Sequence, residues 1–573
     1  MEQTVPVNEG AEAFVELLNA NGVDYIFMNP GTGSSAIQEA LAKFKAQGKR
    51  TPRVILCLHE YVGMAAAHGH FLISRKPQVV IVHEALGTQQ VGGALYNAER
   101  CRIGVVFCAT RVPRSKRLGS LHWLEERFDQ ASIVREYVKW YYELRTNENI
   151  HEVVQRAFQM ASSEPCGPVY LSLPADLLTE KMDNLVIPEV ARHDTVITPQ
   201  ADAAALAKAA SILNDAKNPL IITGYAGRNY KTVTSLVELA EILGARVITT
   251  QRYLNFPTTH PLYSGFSPEP YLKDADAILI IDMDIPYVPA ITKPPPGSRI
   301  IHIDIDPIKI RIPMWHFPVD EFIQADSGKA IPILIEIIRQ GLTAEQQARI
   351  QTRFPKIRKE HQQLLDNWHK LAMAQSSIRP ISAEWLCHCI NEAIDEDTIV
   401  IEEAVTSRLS ALRQLQRTRP GTFFTSEAAS LGWSLGAALG AKLASPESTV
   451  VSLIGDGGFN FSCPTSVLWA ASAFQAPFLC IIFNNKQYYV SRSAILRHYG
   501  PESFSQKTGN WIGVDIEPPP DYAAISRACH CYGQTVESPS DILPALKIAL
   551  EQVHSGKPAV LDIIIENQRG SLG

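Results

Sequence analysis

Short apolar runs alternate with helix-patterned stretches along nearly the whole chain. Between Ala11 and Asp176, "YIFM" ends at the turn "NPGTGSS", "RVILCL" feeds the helical "HEYVGMAAAHGHFL", and "PQVVIVH" ends at "EALGTQQ". "IGVVFCA" and "GPVYLSLP" follow. The runs are apolar throughout instead of alternating apolar with polar, so both faces of each strand are expected to be covered. Strands of this kind separated by helices predict a parallel sheet with helices on both sides.

A second set opens after the proline-containing stretch 187–199, where "PLIITG", "ARVITT", "AILIID" and "RIIHIDID" alternate with helical segments and fade near Gln340. Thr343 to Ser377, rich in Gln, Lys and Arg, reads as a helical linker. The third set opens at "ISAEWLCHCINEAI" and holds the strands "TIVIEE", "TVVSLI", "FLCIIF" and "AVLDIII". The expected fold is α/β, with three doubly wound parallel-sheet domains at 1–185, 195–342 and 379–567 and the linker at 343–378. In such sheets ligands bind beyond the carboxyl ends of strands, where loop amides and helix N-termini converge. Chemistry is therefore expected in the loops that end strands.

Composition changes this picture little. With 573 residues the chain is too long for one hydrophobic core. A formal net charge of -6, with 46% hydrophobic and 20% charged residues, gives no reason to expect nucleic acid or an anionic membrane surface as partner. Met1 to Gly10 carries Glu2 and Glu9 and no apolar signal core, which predicts a cytoplasmic protein. The Gly-, Ala- and Ser-rich stretch 428–441 is too short to span a bilayer and is expected to be buried. Ten cysteines are scattered, and the close pairs Cys387/Cys389 and Cys529/Cys531 lie in helix-patterned sequence, where i and i+2 side chains diverge. Neither pair is expected to chelate an ion, and free thiols suit a reducing compartment.

"TVVSLI" ends at Gly455-Asp456-Gly457-Gly458, and the next strand, "FLCIIF", ends at Asn484-Asn485. One βαβ unit brings these two turns to the same sheet edge. A carboxylate, an amide oxygen and a backbone carbonyl are hard ligands suited to Mg²⁺ bridging to a diphosphate. Gly455, Gly457 and Gly458 let backbone N–H groups approach the phosphates. Each turn alone also reads as an ordinary tight turn.

GDG, 26 residues (458 to 483) and then NN resembles the thiamine-diphosphate binding signature. The resemblance implies that Asp456, Asn485 and the backbone of Gln487 bind Mg²⁺. Over nearly the whole chain the sequence is similar to the pyruvate-oxidase-like group that includes benzoylformate decarboxylase and acetolactate synthase. The three domains then become pyrimidine-binding, middle and diphosphate-binding, and "SEAASLGWSLGAALGAKLA" places Leu431 where the family props the bent cofactor. "LHEYVGMAAAHG" matches the family's catalytic glutamate at Glu60, which shares a proton with the cofactor's pyrimidine N1′. Read alone, Glu60 also suits the start of a helix. Thr406 and Ser407, after "TIVIEE", are expected near the diphosphate. The family builds its site between subunits, which implies a homodimer or homotetramer.

The substrate end is less fixed. His83 matches a histidine available for proton transfer in benzoylformate decarboxylase, and an imidazole suits that task. It could equally bond the end of its own strand. Thr32 matches a substrate-binding serine, or is a plain turn hydroxyl. Arg111 stands where acetolactate synthases have a glutamine and reads either as an anion fork or as a solvated charge. Tyr488, with Tyr489, Arg492 and Arg497, follows the metal turn and either shapes the substrate pocket or belongs to a surface helix. The second histidine expected in the middle domain is not seen, Tyr287 being the nearest candidate. "GYAGRN" is too weak a glycine pattern to claim a nucleotide.

The resemblance implies decarboxylation of a 2-oxo acid through an enamine intermediate, with release of an aldehyde or transfer to a second carbonyl from an aldehyde or oxo acid acceptor. The alternatives are an acetolactate synthase-like carboligase, a 2-hydroxyacyl lyase, and a thiamine-diphosphate-binding regulatory subunit without turnover. Glu60 weighs against the last. An NAD-linked dehydrogenase is disfavoured, because no clear GxGxxG in this sequence follows a strand and opens a helix.

Overall fold

A computed structural model of the chain describes residues 3–115, 119–187, 196–250, 252–426 and 430–567. The expected boundaries at 1 and 195 lie outside these residues. Three parallel sheets are present, as the uninterrupted apolar runs predict. The first has the order Arg53–Leu56, Tyr25–Met28, Gln78–Val82, Val105–Arg111, Val169–Pro174, Trp140–Glu143. The third has the order Phe423–Thr425, Ile399–Glu403, Val450–Gly455, Leu479–Asn484, Ala559–Ile564, Tyr532–Val536. Numbered within each sheet, both follow the order 2-1-3-4-6-5, and the five-stranded middle sheet follows 2-1-3-4-5. In all three the chain reverses its winding between strands 1 and 3, and the crevice at that reversal is where α/β sheets bind ligands.

Six of the described strands were not expected from the pattern: the sheet-edge strands Trp140–Glu143, Glu321–Gln324, Phe423–Thr425 and Tyr532–Val536, and the two of a separate ribbon. Trp140–Glu143 is an edge strand, half exposed and aromatic, so it lacks the apolar run of a covered strand. Gln3–Pro6 pairs antiparallel with Asn184–Ile187, a two-stranded ribbon apart from the main sheets. The stretch 343–378 holds one helix, Ala344–Ala374, opened by a Thr343/Gln346 capping box. Its buried Ile357 and His361 face the middle domain, where His361 Nδ1 meets the Tyr263 carbonyl at 2.8 Å. The Trp368 carbonyl accepts from Gln414 Nε2 of the third domain at 2.9 Å, so the helix bridges the two. Within the stretch 428–441, residues 428–429 lie outside the described residues and 432–441 are buried. Among the described residues no helix is long and apolar enough to cross a membrane. Cys387 and Cys389 lie in a helix, whereas Cys529 and Cys531 follow the end of helix Tyr522–Ala528 in a turn with His530 at φ 65°. The helical expectation for the second pair is corrected accordingly.

The first and third domains share a core. Helix Glu60–Ser74 crosses helix Trp433–Ala444, and one apolar cluster runs through Val62, Ala65, Ala66, Trp433, Ala438 and Leu439. The crossing is close because glycines stand where the backbones meet. A Cβ on Gly69 would overlap the Ala437 carbonyl, one on Gly440 the Ala66 carbonyl, and one on Gly436 would sit 2.5 Å from Ala65 Cβ. Charged pairs join the first domain to the middle one: Glu164, which Arg75 of its own domain also meets at 3.1 Å, reaches Arg228 at 3.5 Å, and Arg102 reaches Asp284 at 3.0 Å. The Arg102–Asp284 pair borders a cavity of about 710 Å³ that Lys139, Arg252 and Lys309 also line.

Gly440→Ala tests the crossing by the sign of its effect. In an ordinary helix interior this change stabilises by about 1 kcal/mol. Here it is expected to lower the melting temperature, with an overpacking cost of about 1–3 kcal/mol. A raised melting temperature would show that the helices do not meet there.

Candidate functional site

The third sheet's reversal lies between Ile399–Glu403 and Val450–Gly455. Thr406 and Ser407 follow the first of these strands, and Asp456 follows the second directly. Asp456 is buried; its Oδ1 accepts from Gly457 N at 3.0 Å, and its Oδ2 has no hydrogen-bond partner. Burial pushes this carboxyl up to about 6. An orphaned buried oxygen costs free energy unless something occupies its free side. Gly455 and Gly457 border the same space: nothing lies within 4 Å of a Cβ placed on Gly455, and one on Gly457 would lie 2.7 Å from Tyr488 Cε1. Tyr488 thus lies over the turn itself.

The Asn pair divides into two roles. Asn484 donates from Nδ2 to Asp562 Oδ1 at 2.9 Å and accepts from Lys486 N at 3.1 Å, so its amide is held by the fold. Asn485 and Gln487 are also buried; Asn485 Oδ1 accepts from Gln487 N at 3.1 Å, and Lys486 between them takes φ 56°. Register places Gly455 beside Phe483, so Asp456 and Asn485 end neighbouring strands. Asp456, Asn485 and the Gln487 backbone form a set of hard oxygens suited to Mg²⁺.

Ser430 to Gly432 is fixed between two domains. From the first domain, Tyr61 Oη donates to the Leu431 carbonyl at 2.6 Å and Asn97 Nδ2 to the Ser430 carbonyl at 2.9 Å. From the third, the buried Glu403 carboxylate accepts from Gly432 N at 2.6 Å and Ser434 N at 2.7 Å. Gly432 has φ 94°, and a Cβ there would lie 2.5 Å from the Phe461 carbonyl carbon, at the end of the short helix that Asp456 opens. The contact places Leu431 beside that turn.

The first sheet's reversal lies between Tyr25–Met28 and Gln78–Val82. The loops that follow bring Thr32 and His83 together: the exposed Thr32 opens a short 3₁₀ turn, and a Cβ on Gly31 would overlap the His83 ring. Glu60 opens the helix after the neighbouring strand Arg53–Leu56, and His59 Nδ1 caps it by accepting from Tyr61 N at 3.1 Å. The Glu60 side chain is 12% exposed, and a Cβ on Gly87 would lie 3.1 Å from its Oε1. Gly87 therefore makes room for the Glu60 carboxyl near the His83 loop.

Of the other expected residues, Arg492 donates from Nη1 to Gln487 Oε1 at 3.4 Å, beside the Asn485 turn. The Arg111 guanidinium is directed at Glu143 and at Glu126, the latter at 3.0 Å, so its donors are taken up by carboxylates. Tyr287 is buried, with its ring edge against Phe317 at 5.1 Å. Arg492 lies over Trp511 at 4.3 Å. The sequence reading missed Glu84 and Glu125, which accompany His83. Glu84's acidity directly after His83 was the signal available; Glu125, 41 positions further on (125 − 84), gave none.

Three family models match the chain: the N-terminal thiamine pyrophosphate binding domain at residues 8–133, the central domain at 206–334 and the C-terminal thiamine pyrophosphate binding domain at 404–563. The chain is 25% identical to benzoylformate decarboxylase of Pseudomonas aeruginosa over 96% of its length and 98% of that protein. It is 26% identical to acetolactate synthase of Bacillus subtilis, covering 99% and 94%. The solved 4-hydroxybenzoylformate decarboxylase of Rhodococcus jostii shares the fold, with a TM-score of 0.79 at 23% identity, over 98% of this chain and 100% of that one.

Asp456→Asn keeps an oxygen for Gly457 N and removes the buried carboxylate. The folded protein holds the Asp456 proton more tightly than the unfolded chain does. Stability is therefore lost as pH rises from 3.8 towards about 6, and the cost is full above that. Without cofactor or metal, the variant is expected to melt higher than the parent at about pH 8, by roughly 1–3 kcal/mol, and to match it near pH 4. Equal melting at both pH values would contradict the burial cost.

Proposed function

Because the chain belongs to the thiamine pyrophosphate enzyme family, we propose that it is a Mg²⁺-dependent enzyme that decarboxylates a 2-oxo acid and releases an aldehyde. One observation carries this reading. Two sheets with the same strand order carry the candidate groups at and beside their reversals, His83 with Glu60 two strand ends away on one, Asp456 with Asn485 on the neighbouring strand end on the other.

Asp456, Asn485 and the Gln487 carbonyl would hold Mg²⁺ against the diphosphate, with Thr406, Ser407 and the amides of Gly455, Gly457 and Gly458 around it. The orphaned Asp456 Oδ2 supports the fit. Bound there, thiamine diphosphate would supply a carbon nucleophile and an electron sink for the decarboxylation. Glu60 holds a proton at the pyrimidine ring nitrogen. Leu431, fixed through its carbonyl by Tyr61, would support the cofactor. His83 gives a proton to the carbon from which CO₂ has left, and Thr32 binds the substrate carboxylate.

The two reversals of one chain are not required to face each other, and a homodimer supplies the pairing. Support comes from large apolar side chains left exposed around both in the single chain: Leu58 at 52%, Trp123 at 70% and Phe128 at 110% near the first, Phe504 at 85% and Ile512 at 83% in the third domain. Burying such residues favours association. The likeness to acetolactate synthase supports a second outcome from the same site, capture by a second carbonyl compound to make a 2-hydroxy ketone.

A panel of aliphatic and aromatic 2-oxo acids, supplied with thiamine diphosphate and Mg²⁺, separates the outcomes: aldehyde and CO₂ support the lyase, and a hydroxy ketone formed on adding aldehyde supports the carboligase. Glu60→Gln is expected to retain cofactor binding and slow exchange of the cofactor's C2 proton by 10²-fold or more, on the order expected for an acid–base group. Unchanged exchange would remove Glu60 from this role. His83→Ala is expected to slow aldehyde release by about 10²-fold with binding unaltered, and an unchanged rate would remove His83.

A further inference from the structure

Directly after His83, Glu84 turns back into the fold with φ 42°, a left-handed backbone uncommon outside glycine. It is 3% exposed, and its Oε2 has no hydrogen-bond partner. Its N–H is spent on Thr110 Oγ1 at 3.3 Å, and a Cβ on Gly33 would lie 3.2 Å from its Oε1, so the turn 31–33 closes one side. The other side faces Glu125, the last residue of the short helix Ser120–Glu125. Glu125 Oε1 lies 3.7 Å from His83 Nε2, and one ring nitrogen and one oxygen of each carboxyl lie within 4.8 Å of one another.

The other charged groups facing this cluster are Glu126, which follows on the same segment, and Arg111 at the end of strand Val105–Arg111. Arg111 gives its donors to Glu126 and Glu143. Two carboxyls this close, one of them buried, repel each other as a pair of charges, which favours a proton on the buried one. Burial and the Glu125 charge push Glu84 up to about 7.

We propose that Glu84 and Glu125 hold one proton between them and return it to His83 after each protonation step. This rests on the reading of His83 as proton donor given above. The balance is simple: the His83 N–H bond breaks and a C–H bond forms on the carbon that lost CO₂. The neutral imidazole takes the shared proton, and water restores it to the carboxyl pair. One solvent proton is consumed for each CO₂ released. Glu84 and Glu125 are positioning and proton-supplying residues that act through His83.

The test uses the full chain with thiamine diphosphate and Mg²⁺. Infrared difference spectra against Glu84→Gln and Glu125→Gln, taken across about pH 5 to 9, cancel carboxyls common to all three proteins, such as Glu403. The parent is expected to show a protonated-carboxyl band titrating near pH 7, which is missing in Glu84→Gln and shifted to the ordinary carboxylate range in Glu125→Gln. With any 2-oxo acid that turns over, both variants are expected to lose about tenfold in kcat and the decline of kcat above that pH. Glu125 lies on the surface side of the pair, so its variant decides the matter if Glu84→Gln fails to fold. Identical spectra, or loss of the parent's band only on adding a divalent metal that the cluster then binds, overturns the proposal. The infrared arm decides it even where no 2-oxo acid is turned over, so its failure is distinct from failure of the decarboxylase reading.

Discussion

The close crossing of helices Glu60–Ser74 and Trp433–Ala444 is the constraint on which the rest depends. Backbone meets backbone at Gly69, Gly436 and Gly440, where side chains would hold the helices apart. The first residue of one helix is Glu60, and the segment just before the other is Ser430 to Gly432. Fixing the crossing therefore fixes both. From there the geometry propagates by short contacts: Tyr61 to Leu431, Glu403 to Gly432, and Gly432 to the end of the helix that Asp456 opens. An added methyl at the crossing is felt as a displacement at the strand-ending loops, because close-packed interiors have no slack to absorb it.

Two of the groups assigned to chemistry carry a buried oxygen that the fold leaves without a partner. Asp456 keeps an orphaned oxygen beside open space at Gly455, and Glu84 keeps one beside His83 and Glu125. Glu403, Asp304 and Glu384 are met by donors, Glu403 by two backbone amides, Asp304 by Lys309 at 2.5 Å and Glu384 by Ser410 and Gln414, while Asp282 and Glu402 each keep one unpartnered oxygen beside an oxygen held by an arginine. A satisfied carboxylate ties elements together, whereas an orphaned one lowers stability until a cation, proton or ligand completes it.

What was legible in the sequence follows the same logic. Strands covered on both faces are apolar without interruption, so the three sheets and the turn carrying Asp456 could be read directly. The edge strand Trp140–Glu143 could not, since its half-exposed aromatic pattern fits neither template. Asp456 and Asn485 were readable because they end successive strands, and adjacency in a parallel sheet follows from short crossovers. Glu84 and Glu125 were not: a helix and a loop fold back to bring them together, and no periodicity encodes that contact. The bridges from Arg75, Arg102 and Arg228 to carboxylates of other elements were invisible for the same reason.

Calorimetric titration of thiamine diphosphate into the protein, with and without Mg²⁺, tests the central claim most directly. The account predicts saturable binding that needs Mg²⁺ and is lost in Asp456→Ala with the fold intact. Binding of equal strength after chelation of all divalent cations, or in that variant, would contradict it.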